Sequence, residues 1–464
     1  MTRNVGQCKC KIDAVEYTSD TLTSRGGLSL FVRYLQNIQL YPHLERLFGG
    51  IRKSNKGQPL VEIFKQLFCF FLDGTSRHLV YFDTLKDDAG YAAGIETDRE
   101  AMLSSHSVKR FFKAFSWFRI WLFRRLLQQL FLWRLKISRP TLIELGIDTM
   151  VMDNDEAKSR HGVEPTYKKV NGFQPLQMTW GRFLIDAVFR GGKKHSNHGD
   201  TVEHMVRHIV AKIRKSYRED VVILIRMDAG FFDDKLFKVF EQLGIGYICM
   251  GKIYEDIKSY VRATQKAHWG RFQKGKQVWD YLEFGSRRES WRIFRRAIFC
   301  RPMDLGGQLL LEFARPMTVL YTNLGMGSKI DEDFKTAGFT HRLKTESVIE
   351  AAHGRGADEL VHRALKEFSS QTLPFKRFSQ NAAFYYTLLV AFFLYEAFKE
   401  DVCSDVVPIE SYPTTLRRIV IDVAAKIVRT SGRTILKVAR AAWDRLRFDR
   451  LWNRCAHPPL FCWA

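Results

Sequence analysis

The 464-residue chain has no long apolar run: the longest, Ala382 to Tyr395, is 14 residues interrupted only by Thr387, too short to cross a bilayer. Its first residues, Met1-Thr-Arg-Asn-Val-Gly-Gln7, carry no apolar segment of the kind a secretory signal needs. Zinc patterns are missing as well. The eight cysteines are scattered, Cys8 and Cys10 stand too close for ordinary zinc-finger spacing, there is no Cys-x2-Cys, and the 13 histidines form no ligand pattern. These absences point to a soluble, cytoplasmic protein with reduced thiols, in which any metal is held by oxygen, as suits Mg²⁺ or Mn²⁺. Acidic residues are in deficit too, 50 against 73 Lys and Arg, giving a net charge of +23 and a pI near 9.7. That balance predicts a polyanionic partner and a salt-sensitive affinity for it. What is present, 46% hydrophobic residues over this length, is enough for two to four domains with a sizeable core.

Three acids stand out. Asp148 lies inside the apolar segment Leu142 to Met152, where an unpartnered carboxylate would cost several kcal/mol. A metal ion is one such partner. Asp228 follows Val221 to Met227, which reads as a buried parallel strand, and ligands gather at the carboxyl ends of such strands. A helix N-cap is the plainer role for Asp228, since a helix-like run from Phe231 to Leu243 follows. The third acid sits in Ala351 to Phe368. At 3.6 residues per turn Arg355, Glu359, His362, Arg363 and Lys366 share a polar stripe opposite Leu360, Val361, Ala364, Leu365 and Phe368. By itself this is also the pattern of a solvated helix face.

Together, Asp148, Asp228 and Glu359 resemble the acids of the DDE transposases of bacterial insertion sequences, in the group with a Tyr-x2-Arg-x3-Glu-x6-Lys motif. Arg355-x3-Glu359-x6-Lys366 matches three of its four positions, and Ala352, beside His353, stands where the tyrosine would be. Tyr167-x4-Gly172-Phe-Gln-Pro-Leu176 and Phe378-Ser-Gln-Asn-Ala-Ala-Phe384 are also similar to the group, and the likeness covers roughly residues 140 to 400. The spacing to Arg355 and Lys366 selects Glu359 over Asp358 as the third acid. The resemblance implies an α/β fold, a ribonuclease-H-like mixed sheet with flanking helices, interrupted by a β-rich insertion. It also implies catalysis by Asp148, Asp228 and Glu359 holding two Mg²⁺ or Mn²⁺, with Arg355 and Lys366 on DNA phosphates. Cleavage of transposon ends, a hairpin intermediate, joining of the 3′-OH to target DNA, and a homodimer in a synaptic complex follow as expectations. A nuclease that only hydrolyses, and an inactive DNA-binding relative, remain as alternatives.

The organisation expected is helical DNA-binding residues 1–140, a catalytic core in two parts (141–251 and 328–405), a β-rich insertion at 252–327, and a basic helical carboxyl-terminal region at 406–464. In the first part, apolar spacing predicts helices over Leu28 to Leu47 and Leu60 to Leu72. Ser104 to Phe115 places Lys109, Arg110 and Lys113 opposite Val108, Phe111, Phe112 and Phe115. It reads equally as the recognition helix of a helix-turn-helix and as an ordinary amphipathic helix. Strands are expected at Leu142 to Met152, Phe173 to Trp180, Arg182 to Phe189, Val221 to Met227 and Tyr247 to Met250, and through the insertion, including Leu309 to Phe313. There, Arg287, Arg288, Arg292, Arg295 and Arg296 beside Trp291 fit phosphate contact with stacking on an extruded base, as do Trp269 and Trp279, although a core role is the plainer one for each tryptophan. Asn381 to Phe398 should be a buried helix. Residues 413–464 hold eleven Lys and Arg against Asp422, Asp444 and Asp449, and helices are expected at Thr414 to Arg429 and Thr434 to Trp452, for DNA contact or dimerisation.

Overall fold

The structure, a computed structural model, describes residues 14–51, 57–304, 306, 316–354, 356–369 and 371–463, without the side chains of 356–358. A short strand β1 (Thr21–Thr23) precedes a helical layer. The run expected as one helix from Leu28 is two, Leu28–Asn37 and Leu40–Phe48, because Gln39 between them adopts a left-handed backbone at φ 64°. Helix Leu60–Asp73 stops at Gly74, whose φ of 62° suits glycine. Helix Ser105–Lys113 is capped by Ser104, whose Oγ accepts the Ser107 N–H. The 22-residue helix Trp117–Ser138 buries most of its carboxyl-terminal two-thirds and ends at Arg139.

The central sheet begins with β2 (Leu142–Thr149). A small separate sheet follows, made of β3 (Met152–Asp153), β4 (Glu164–Pro165) and β5 (Asn171–Phe173) in the order β3-β5-β4. The strand expected from Phe173 to Trp180 therefore breaks at Gln174-Pro175, and the chain returns to the main sheet as β6 (Leu176–Trp180) and β7 (Phe183–Val188). Helix Thr201–Ser216 leads to β8 (Val222–Met227), and helix Asp234–Gln242 leads to β9 (Gly246–Met250). These five strands lie in the order β7-β6-β2-β8-β9. β6 is antiparallel to both neighbours and β2, β8 and β9 are mutually parallel, which is the ribonuclease-H-like arrangement.

Residues 252–327 supply β10 (Gly270–Lys274), β11 (Gln277–Ser286), β12 (Arg295–Met303) and β13 (Thr318–Thr322). β13 pairs antiparallel with β9 and the others follow outward, so among the described residues these strands widen the core sheet to nine. The strand expected at Leu309 to Phe313 lies outside the described residues. Helix Phe378–Phe398 is buried on every side, between the Trp117–Ser138 and Leu60–Asp73 helices and β7. With the turn after it, it reaches Cys403 and, at 26 residues, is long and apolar enough to cross a membrane, yet it lies wholly inside the protein.

The carboxyl-terminal reading needs a correction. Where a helix was expected up to Arg429, β14 (Ala425–Thr430) and β15 (Arg433–Val438) form a hairpin across Ser431 and Gly432, both with positive φ, and β14 pairs with β1. Lys426-Ile-Val-Arg-Thr and Arg433-Thr-Ile-Leu-Lys-Val are rich in β-branched residues flanking a Ser-Gly turn, a hairpin signature that the high charge obscured. Helices Arg440–Leu446 and Phe448–Ala456 follow, and the second packs on Leu28–Asn37.

Candidate active site

Parallel pairing of β2 with β8 sets Ile147 beside Met227, so Asp148 and Asp228, the next residue on each chain, emerge side by side at the carboxyl ends of two adjacent strands. Both are half-buried. Asp148 Oδ1 accepts the Thr149 N–H at 2.6 Å, and Asp228 Oδ1 accepts the Gly230 N–H at 2.9 Å. Asp228 thus caps the single turn Ala229–Phe231, whereas the following α-helix is capped by Asp233, which accepts the Lys235 N–H. The N-cap role is real but local, and it fixes the Asp228 carboxylate at the mouth of the sheet.

Helix Gly356–Phe368 lies against this pair. Its His362, mostly buried, places Nδ1 3.8 Å from Asp148 Oδ2. Glu359, one turn earlier on the same helix, is exposed to solvent. Lys366, one turn later, is half-buried, and burial and then the positive charge of Lys168 hold its ammonium below the ordinary lysine range. Lys168 belongs to the β4–β5 hairpin, closed by Thr166, whose N–H and hydroxyl both donate to the Val170 carbonyl. The neighbouring Tyr167 feels both acids: partial burial and then the charges of Asp148 and Asp228 raise its phenol above the ordinary range. The site is therefore an acid pair beside an imidazole and a phenol, and the helix and hairpin that carry those two groups also bring Lys366 and Lys168 close to each other. Among the described residues, no group of three or more acid, histidine or cysteine side chains is close enough to hold a metal ion. Asp148 and Asp228 are together, and Glu359 lies exposed on the helix whose His362 reaches Asp148. Arg355 and the side chain of Asp358 lie outside the described residues.

The expected DNA contacts divide. Lys109 and Arg110 are exposed on the Ser105–Lys113 helix, and Arg292 is exposed beside β12. Trp291 and Arg295 are corrections. Trp291 is only 5% exposed, enclosed by Phe232, Phe237 and Tyr321, and so packs the core. Arg295 is 1% exposed, bonded to Asp234 at 2.8 Å, to Glu241, and to the Tyr247 hydroxyl at 2.9 Å. Arg296 is bound by Glu283 and two backbone carbonyls. Ala352 is buried in a core with Ile298, Leu320 and Ile349, and the adjacent His353 ring stacks on Trp279. Tyr167 was visible only as part of a resemblance, and Lys168 was not singled out at all. That Tyr167 feels the two acids depends on where the separate small sheet is placed, and no local pattern carries it.

The profile of the transposase DDE domain, group 1, matches residues 7–459. The chain belongs to this DDE transposase family. No curated protein matches this family member. Among solved structures it is similar to the piggyBac transposase in a synaptic complex with hairpin DNA, at 13% identity over 86% of this chain and 81% of that one, with a TM-score of 0.42. The mixed sheet, its strand order and the adjacent aspartates are what this DDE transposase chain shows from its own residues.

Proposed function

We propose that the chain is a DNA transposase that binds the ends of its insertion sequence, cleaves them and joins the freed 3′-OH to target DNA, working in the cytoplasm as a homodimer in a synaptic complex. The observation carrying this reading is the pairing of Asp148 with Asp228 at adjacent parallel strand ends in a member of the DDE family. Carboxylate donors of this kind suit hard divalent ions, so Mg²⁺ or Mn²⁺ fits the donors here. Asp148 and Asp228 would hold two such ions with Glu359; when bound, the pair supplies an activated nucleophile and charge neutralisation at the leaving oxygen.

The chain's own residues set up the reaction. The N–H groups of Thr149 and Gly230 orient the two carboxylates. Lys366 and Lys168 offer cations to the phosphates on either side of the scissile bond, and Arg355 is assigned the same task. Glu359 is assigned to complete the metal-holding set once DNA is bound. A water oxygen then attacks phosphorus and the 3′-oxygen leaves as a hydroxyl. The oxygen of that hydroxyl attacks a phosphorus of the opposite strand, giving a hairpin, or one of the target strand; in either case the P–O bond to the attacked strand's 3′-oxygen breaks and that oxygen leaves as a new 3′-hydroxyl. Arg292, Lys109 and Arg110 are assigned to DNA farther from the scissile bond.

The test is Mg²⁺-dependent nicking of the DNA that flanks the coding sequence. Asp228→Asn and Asp148→Asn are each expected to lower the rate about 10³-fold or more while leaving duplex binding intact, a loss in the range of removing a main source of transition-state charge stabilisation. Undiminished nicking by either variant refutes the assignment. Wild-type protein that binds the ends but cleaves them in neither Mg²⁺ nor Mn²⁺ is the inactive DNA-binding relative, a reading the exposed Glu359 favours.

A further inference from the structure

The loop from β7 to the Thr201–Ser216 helix, Gly191-Gly-Lys-Lys-His-Ser-Asn-His-Gly199, has no part in the reading so far, yet it borders Asp228. Asn197 Nδ2 donates to Asp233 Oδ2 at 2.5 Å. Ser196 stands so close to Gly230 that a Cβ there would lie 2.7 Å from its hydroxyl, and Gly230 is the residue whose N–H holds Asp228. On its other side the loop is clamped to the small sheet. A Cβ on Gly192 would meet the carbonyl oxygens of Glu164 at 2.1 Å and Gly172 at 2.5 Å, and the Lys193 N–H donates to Glu164 Oε2 at 3.2 Å. The loop is thus held between the Asp228 turn and the hairpin carrying Tyr167 and Lys168.

Its charge is unbalanced. Arg190, at the loop's base, is 5% exposed, and its partners are all neutral: the Gln174 carbonyl at 3.2 Å, the Ser196 carbonyl at 3.3 Å and the Thr201 hydroxyl at 3.3 Å. Its Nη2 is buried with no partner. The acids nearby are already engaged: Asp200 and Glu203 by Lys235, Asp233 by Asn197 and the Lys235 N–H, and Glu164, the one carboxylate touching the loop, by the Lys193 backbone N–H. Among the described residues no carboxylate pairs with Arg190, Lys193 or Lys194. Burial pushes the guanidinium down to about 10, still charged at neutral pH. A buried cation without a counter-ion costs several kcal/mol, and surrounding structure keeps one where an anion completes it.

We propose that this loop, with Arg190 behind it and Lys193, Lys194, His195 and His198 on it, is a cradle for the phosphodiester backbone of DNA running past Asp228. Arg190 is a positioning residue, since it holds the Ser196 carbonyl and projects its charge onto the loop; Lys193 and Lys194 make the contacts. The proposal rests on the DNA-cleaving reading above. A DNA backbone and free phosphate share the ligand chemistry, and the test separates them.

The measurement is fluorescence anisotropy of full-length protein with a labelled 30-base-pair duplex of arbitrary sequence, titrated from low to moderate KCl. For Lys193→Gln/Lys194→Gln, the slope of log K against log salt should shrink by about 1.8, roughly 0.9 for each phosphate contact removed, with an unchanged melting temperature. Lys329→Gln, at the opposite end of the parallel strands, should leave the slope as it is. Arg190→Met should lower affinity where Arg190→Lys partly restores it. An unchanged slope in the double variant, or an equal fall in Lys329→Gln, overturns the cradle. So does displacement of the duplex from wild type by inorganic phosphate at constant ionic strength, which would mark a site for the free anion. Asp228→Asn should keep the full slope; if it also keeps nicking activity, the active-site reading fails while the slope test of the cradle stands.

Discussion

Asp186 is completely buried in β7, and Arg124 reaches it from the Trp117–Ser138 helix with two hydrogen bonds of 2.9 and 2.6 Å. The pair ties the amino-terminal helical layer to the edge of the catalytic sheet. Arg124→Leu leaves a buried carboxylate without its counter-charge, which costs about 3–5 kcal/mol. Urea unfolding should show a fall in unfolding free energy of that size, and a variant as stable as wild type would mean that water already solvates Asp186. The same physics explains which site residues could be read in advance. Asp148 betrayed itself as a charge in an apolar strand, and Asp228 as a charge at a strand's end. Glu359 had no such mark, because on an amphipathic helix one more acid looks like solvent-facing surface. Arg295 and Trp291 misled for the converse reason. An arginine paired behind a sheet and one facing a phosphate have the same local sequence, and Asp234 and Glu241, which neutralise Arg295, lie more than fifty residues away from it.

Elements close on one another through places with no room for a side chain. Gly27, at the start of the Leu28–Asn37 helix, is so near the turn before the carboxyl-terminal hairpin that a Cβ would lie 1.8 Å from the Val420 carbonyl oxygen. Backbone cannot yield as a flexible side chain does, so Gly27→Ala is expected to cost more than about 2 kcal/mol. Gly50→Ala, which meets nothing within 4 Å, should stay within about 0.5 kcal/mol. Differential scanning calorimetry of the two decides it, and equal melting temperatures would refute the contact. Element type was legible where an apolar run was long and nearly unbroken, as in Phe378–Phe398. It failed at single-residue breaks such as Gln39, where no glycine announced the left-handed turn, and in the charged hairpin, where Lys426 and Arg429 three apart and Arg433 and Lys437 four apart imitate a helix period.

Across the whole molecule the two ends of the chain interlock. β1 pairs with β14, the Phe461 N–H donates to the Ile38 carbonyl at 2.8 Å, Asn37 reaches the Cys455 carbonyl at 2.7 Å, and Arg33 lies over the Trp452 ring at 4.2 Å. Leu446, Phe448, Leu451, Cys455 and Phe461 are all buried. A chain ending at residue 439 exposes the face that receives them, at about 1.5–3 kcal/mol for each large side chain lost, comparable in total with the stability of a domain. It should aggregate on size-exclusion chromatography. A monodisperse truncation with the wild-type melting temperature would show instead that the basic carboxyl-terminal region is an independent appendage.

Composition by itself pointed to a polyanionic partner, and apolar surroundings marked Asp148 and Asp228 on strands of a mixed sheet; Glu359 came only through the resemblance to DDE transposases. The first two are local properties: charge is additive, and a strand or helix period is written within a dozen residues. Only the tertiary structure decided that Asp148 and Asp228 stand abreast, that residues 252–327 widen the core sheet, that Tyr167, Lys168 and the Arg190 loop crowd the same spot, and that Arg295 belongs to the interior. Each of these depends on which strand lies next to which, and strand order is fixed by long-range pairing and burial, quantities that no window of the sequence contains.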